Sequence, residues 1–237
     1  MNLAIFDIDG TLTETDHVDD ICFLQALADA HGMTEVNNDW AAYPHTTDSA
    51  ILSYVFQERL NRPPEQSELE KFKSCFVSLL EDYRGKDSSL FAEIAGAASM
   101  LRRLNQEPDW RVAIASGGWR ISATLKLRVA GIDVNEFPAS FADDGISREE
   151  ILNSAVLKSQ QRYQQSRFDR VVSVGDGIWD VRTARNLNFA FLGIDSGGAR
   201  EKLERAGATH VLKDFADYDE LISCLTEAGV PSVEGES

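Results

Sequence analysis

The sequence predicts an α/β fold: a doubly wound, Rossmann-like parallel sheet with an α-helical segment inserted after its first strand. Three observations carry that expectation. Short apolar runs stop abruptly at polar, glycine-containing turns: LAIFDID (3–9) before Gly10-Thr11, VAIAS (112–116) before Gly117-Gly118, and VVSVGD (171–176) before Gly177. Each run is apolar throughout rather than alternating, the pattern of a parallel strand buried on both faces. Helical patterns separate these runs, and strands alternating with helices specify a doubly wound sheet. The stretch 15–88 breaks that rhythm and reads as helices only.

Taken in order, the first strand spans 3–9. The helical insertion follows with helices near 17–31, 46–60 and 65–83, the last begun by Pro63-Pro64 and a Glu-rich turn. The chain leaves the sheet around 13–15 and returns around 85–89, which places the insertion over the strand ends. The expected division is therefore a core of 1–14 and 89–228, a helical cap of 15–88, and a frayed polar tail over 229–237. In the core, helices are predicted near 92–105, 119–130, 149–163, 178–187, 199–206 and 215–228. Further strands are predicted at 137–140, at FAFLGI (189–194) and at 210–212.

At 237 residues the chain suits one core domain with a smaller module. No apolar run approaches the roughly 20 residues needed to span a bilayer, so no membrane role is expected. The opening MNLAIFDIDG has no basic n-region and meets an acid at once, so no signal peptide is expected. Cys22, Cys75 and Cys224 are scattered without Cys-x-x-Cys spacing, which fits reduced thiols and a cytoplasmic location. A net charge of −16 disfavours a nucleic-acid partner. The same charge would repel an anionic substrate unless a metal or local basic groups neutralise the site.

Ligands of open α/β sheets bind beyond the carboxyl ends of the strands. The chain puts Asp7 and Asp9, Ser116, and Asp176 and Asp180 at three such ends. Acids at a buried rim cost free energy unless they are paired or hold a metal, so their convergence points to a site. The Asp-Gly pairs do not fit other loops. Gly10 stands fourth in DIDGT after a strand, where a calcium loop needs Gly sixth after a helix. GDGIWD lacks the third glycine of a dinucleotide fingerprint, and no P-loop occurs.

These residues resemble a known family. AIFDIDGTLT resembles the Asp-x-Asp-x-Thr signature of the haloacid dehalogenase-like superfamily, IASGG its second signature, and VGDGIWD its acidic fourth signature. His45-Thr46-Thr47-Asp48 is similar to a cap segment of its phosphoglycolate-phosphatase-like branch, with Gly and Arg replaced. The resemblance implies that Asp7 is a nucleophile forming an aspartyl-phosphate. It implies that Asp9 is the general acid and base. Mg²⁺ would be held by Asp7, the Asp9 backbone carbonyl, Asp176 and Asp180. Ser116 with the N–H groups of Gly117 and Gly118 would bind phosphoryl oxygens. The family's basic residue is either Arg148 or Lys158. Ser147-Arg148-Glu149-Glu150 reads as a capping box, so Arg148 opens a helix facing the phosphate, while Lys158 lies about 15 Å further along it; Arg148 is preferred.

Asp16, His17, Asp19 and Asp20 are placed to line a cap-facing pocket, or else to complement a helix dipole. His45, Thr47 and Asp48 are candidates for selecting substrate, with Asp48 alternatively a helix cap. Trp119 is a candidate of the same kind, although packing is the competing role for it and for Trp179. The implied function is a Mg²⁺-dependent phosphatase acting on a small phosphorylated metabolite. A sugar-phosphate phosphomutase of the same superfamily is the alternative, and a phospho-aspartate signalling module a distant third.

Overall fold

Six parallel strands lie in the order β3-β2-β1-β4-β5-β6. They are β1 (Asn2–Phe6), β2 (Trp110–Ala115), β3 (Ala139–Ser140), β4 (Arg170–Gly175), β5 (Ala190–Ile194) and β6 (Val211–Leu212). The computed structural model describes residues 1–232. In register, Phe6 sits between Ile114 of β2 and Val174 of β4, so β1 is central. The continuous apolar runs are explained by the two covered faces. Phe6, Val112, Ile114 and Val174 pack with Leu101 of α4 (Ala97–Gln106), Leu127 of α5 (Arg120–Val129) and Leu221 of α9 (Tyr218–Glu227). Leu3, Ile5 and Ala113 face Ile151 and Ala155 of α6 (Arg148–Tyr163). The same face is extended by α7 (Ile178–Asn186) and α8 (Arg200–Arg205), which enclose Phe191.

Three longer helices, α1 (Asp16–His31), α2 (Asp48–Leu60) and α3 (Gln66–Lys86), form the segment between β1 and α4. They build an aromatic cluster of their own, in which Phe23 meets Phe72 edge-on with ring centres 5.0 Å apart. Trp119, Leu125 and Ala142 of the sheet-bearing part complete that cluster. The chain crosses out and back side by side: the Glu14 N–H donates to the Ala92 carbonyl at 2.9 Å, and Thr13 bridges Glu93.

The boundaries differ from the predicted ones where caps intervene. Helix α4 begins at Ala97, not near 92, because residues 92–94 are held in the crossing and Gly96 adopts a left-handed φ of 85°. Helix α9 begins at Tyr218, not near 215, because Asp217 accepts the N–H groups of Asp219 and Glu220. Residues 229–232 are not frayed: Phe191 N–H donates to the Gly229 carbonyl at 3.0 Å and Arg185 to that of Pro231 at 3.2 Å. The rest of the expected tail, 233–237, lies outside the described residues. Among the described residues no helix is long and apolar enough to cross a membrane.

Candidate active site

All six core candidates meet beyond the carboxyl ends of β1, β2 and β4. After β1 the backbone turns sharply: the N–H groups of Thr11, Leu12 and Thr13 all point to the Ile8 carbonyl. Gly10 permits this turn with φ +71°, and any side chain there would collide with the Asp176 carboxylate. The turn leaves Asp7 7% exposed. One carboxylate oxygen each from Asp7, Asp176 and Asp180 lies within 4.8 Å of the others. Thr11 Oγ1 donates to Asp176 at 3.1 Å, and Gly177 N–H donates to Asp180 at 3.0 Å.

The capping box predicted for Ser147 is present and sets Arg148 at the first turn of α6. The Arg148 guanidinium donates to Asp180 at 2.5 Å, to Asp7 Oδ2 at 3.5 Å and to the Thr46 carbonyl at 3.0 Å. Its centre lies 5.7 Å from the Trp179 ring, which also lines the cavity. Lys158 points elsewhere, to Asp144 at 2.9 Å and to the Ala139 carbonyl at 2.9 Å.

Three carboxylates therefore crowd together beside one guanidinium, which reaches only Asp7 and Asp180. Burial pushes Asp7 up to about 7, with Asp180 and Asp9 adding to the rise and Arg148 opposing it. Burial, reinforced by Asp180 and Asp7, holds Asp176 well above the usual carboxylate range. Asp180 is raised by burial, against the pull of Arg148 and the Gly177 N–H. Asp7 Oδ1 is buried without any hydrogen-bond partner. An all-oxygen set with surplus negative charge and an orphaned oxygen fits a hard divalent cation such as Mg²⁺.

Ser116 follows β2, and its Oγ accepts the Gly118 N–H at 3.1 Å. The helical segment docks on this turn. Asp48 N–H donates to the Gly117 carbonyl at 2.8 Å, and Asp48 Oδ2 accepts the Trp119 N–H at 3.0 Å. The helix cap is Thr47, not Asp48: Thr47 Oγ1 accepts the Ala50 N–H. Thr47 also donates to the Ile146 carbonyl at 2.7 Å. Asp48 is buried, and that burial pushes it to about 7. The cavity above Asp7 is faced by Asp16, Asp19, Asp20, Thr47 and Asp48 of the helical segment, with Phe23 and Trp40 as its apolar wall. Trp40 Nε1 donates to Asp20 at 2.6 Å. Of the remaining candidates, His17 and His45 are exposed and outside the cavity lining. Trp119 is wholly buried in the aromatic cluster, its Nε1 donating to Ser49.

One residue of this region has no signal in the sequence. Lys126 on α5 is 0% exposed and contacts Asp9 at 2.6 and 2.7 Å and Asp19 at 2.6 Å. In TLKLRV it reads as an ordinary solvated helix position.

The chain thus combines a doubly wound parallel sheet with a buried acidic cluster at its carboxyl edge. The chain belongs to the haloacid dehalogenase-like hydrolase family, whose model matches residues 1–188. Among solved structures it is similar to a hydrolase from Pseudomonas syringae, with 23% identity, a TM-score of 0.72, and 94% of this chain and 98% of that one covered. It is similar to CbbY from Rhodobacter sphaeroides in complex with phosphate, at 19% identity and a TM-score of 0.65 over 91% of this chain and 95% of that one. A predicted phosphoglycolate phosphatase from Haemophilus somnus 129pt shares 15% identity and a TM-score of 0.54 over 93% and 97%. No curated protein sequence matches this chain.

Proposed function

We propose that this hydrolase is a Mg²⁺-dependent phosphatase of small phosphate monoesters, working through an aspartyl-phosphate on Asp7. The observation that carries this reading is the buried Asp7 carboxylate with one free oxygen, grouped with Asp176 and Asp180 and followed two residues later by Asp9. Asp7, Asp176, Asp180 and the Asp9 backbone carbonyl would hold the metal. When bound it supplies positive charge that offsets the carboxylates and the phosphoryl oxygens.

In the first half-reaction an Asp7 oxygen attacks phosphorus and the bond to the leaving oxygen breaks. Asp9 supplies the proton that makes the leaving group an alcohol. In the second, water attacks phosphorus, its proton passes to Asp9, and the bond to Asp7 breaks to release inorganic phosphate. Arg148, Ser116 and the N–H groups of Gly117 and Gly118 face the phosphoryl oxygens as charge redistributes. Residues 15–88 act as a cap over a core of 1–14 and 89–228, excluding water and selecting the leaving group. The paired crossing at Glu14 and Ala92 supports that division. The bound phosphate of the Rhodobacter protein is consistent with this chemistry for the fold.

The test is phosphate release from a panel of sugar, amino-acid, nucleotide and glycolate monophosphates, with Mg²⁺ and with EDTA. Release that needs Mg²⁺ and vanishes in Asp7→Asn is expected. Release unchanged in Asp7→Asn would overturn the nucleophile. A trapped phospho-enzyme that returns its phosphoryl group to sugar instead of water would make the protein a phosphomutase.

A further inference from the structure

We propose that Lys126 is the positioning residue for Asp9, and that through Asp19 it ties the placement of the acid–base carboxylate to that of the helical segment. This rests on the role given to Asp9 above.

Helix α5 turns Ser122, Ala123 and Lys126 onto its inner face, where the first two are buried as expected and the third is a fully buried ammonium. Burying an unpaired charge costs several kcal/mol, so a lysine survives here only if its N–H groups are satisfied. All three contacts of the Lys126 ammonium are carboxylate oxygens: Asp9 Oδ1 at 2.6 Å, Asp9 Oδ2 at 2.7 Å and Asp19 Oδ1 at 2.6 Å. Burial works against the charge, yet Asp19 and Asp9 outweigh it and hold the ammonium above its ordinary value.

Asp9 is gripped from a second side. Thr15 Oγ1 donates to Asp9 Oδ1 at 2.5 Å, and Thr15 is linked in turn to Thr13 Oγ1 at 2.5 Å. Both threonines sit where the chain leaves the sheet. The Asp9 carboxylate is thus oriented by α5, by the crossing and, across the shared ammonium, by Asp19 on α1. A group that must deliver a proton within hydrogen-bond reach loses rate when its geometry loosens. Two groups making three hydrogen bonds to one carboxylate supply that geometry, and the third element in the network is the one that roofs the cavity.

A purely structural lysine and a positioning lysine differ in what they do to different leaving groups. The experiment measures kcat/KM across aryl phosphates from p-nitrophenyl to phenyl phosphate, whose leaving groups need increasing help from a proton. Lys126→Met keeps the length of the stem and removes the charge. It is expected to cost about 10²-fold on phenyl phosphate and under about 5-fold on p-nitrophenyl phosphate, within the range of general acid catalysis. Asp19→Asn retains the Lys126–Asp9 pair and is expected to steepen the same series more weakly, by about 10-fold at its poor end. Should Lys126→Met fail to fold, Asp19→Asn decides. A uniform loss along the series, or none, in the variant that folds overturns the positioning role while leaving the phosphatase reading intact. If the wild-type protein releases phosphate with Mg²⁺ neither from this series nor from the metabolite panel, the phosphatase reading falls and this inference falls with it.

Discussion

Two buried cations organise this molecule, and they are provisioned differently. Arg148 serves Asp7 and Asp180 beside Asp176, whose carboxylate is met by the Thr11 hydroxyl and, among the described residues, by no cation, and one Asp7 oxygen remains without a partner. Lys126 serves only Asp9 and Asp19, and its contacts are all short. The first cluster sets one cation against three carboxylates and leaves an oxygen without a partner; the second sets one against two, and the ammonium contacts both of them. Buried like charges that lack compensation raise one another's affinity for protons or for a cation. The comparison teaches that the Arg148 cluster is built to receive something, whereas the Lys126 cluster is built to stay put.

Removing the proposed nucleophile gives the largest expected effect. Asp7→Asn should lower phosphate release by about 10⁴-fold or more, since losing a covalent nucleophile removes the whole pathway. Its thermal midpoint in EDTA at pH 8 should be no lower than wild type, because a crowded buried charge is gone. Asp9→Asn comes next, with an expected loss of about 10²–10⁴-fold in both phosphorylation and dephosphorylation, read by single-turnover kinetics. A normal rate would remove it from proton transfer.

Arg148→Ala should cost about 10²–10³-fold in turnover. Lys158→Ala should change turnover by less than about 3-fold, because that lysine spends its hydrogen bonds on Asp144 and Ala139. The reverse pattern would move the phosphate-facing role to Lys158.

The smallest effect is on stability and follows from the uncompensated charge. In the metal-free folded protein Asp7 and Asp48 titrate at about 7 and Asp20 at about 6, against an ordinary 3.8. Below pH ~4 these groups are protonated in both states. Between about 4 and 7 the folded protein keeps protons that the unfolded chain has released, so stability falls as pH rises, then levels off. The melting temperature in EDTA should therefore drop from pH 5 to pH 8. Adding Mg²⁺ at pH 8 should raise it. A flat profile with no Mg²⁺ response would mean that the Arg148 cluster takes up no cation.

Much of this arrangement is legible in the amino-acid sequence because it is written locally. Apolar runs closed by Gly turns mark β1, β2 and β4, and the acids at their ends mark Asp7, Asp9, Asp176 and Asp180. Ser147 and Glu150 cap a helix in a few consecutive residues, which is why Arg148 can be placed without coordinates. What is hidden depends on contacts far apart in the chain. Lys126 and Asp19 are 107 residues apart, and no local pattern distinguishes a lysine that turns inward from one that faces water. Trp119 is different: its position after a Gly pair allows a ligand-facing ring or a packing one, and Phe23, Phe72 and Phe76 of the helical segment take it for packing, the role its sequence favours. His17 and His45 are polar residues near the right sequence positions that the folded chain turns outward.

The side-by-side crossing at Glu14 and Ala92 has a further consequence for how such a molecule can change over time. Because the two ends of the helical segment meet within one hydrogen bond, another segment of any length could be grafted between them without disturbing the register of β1 against β2 and β4. Loop length adds little to closure entropy, so the sheet is indifferent to what it carries there. Trp119, Leu125 and Ala142 are the exception, residues of the sheet-bearing part fitted to this particular roof. A transplant of the segment would have to bring partners for all three.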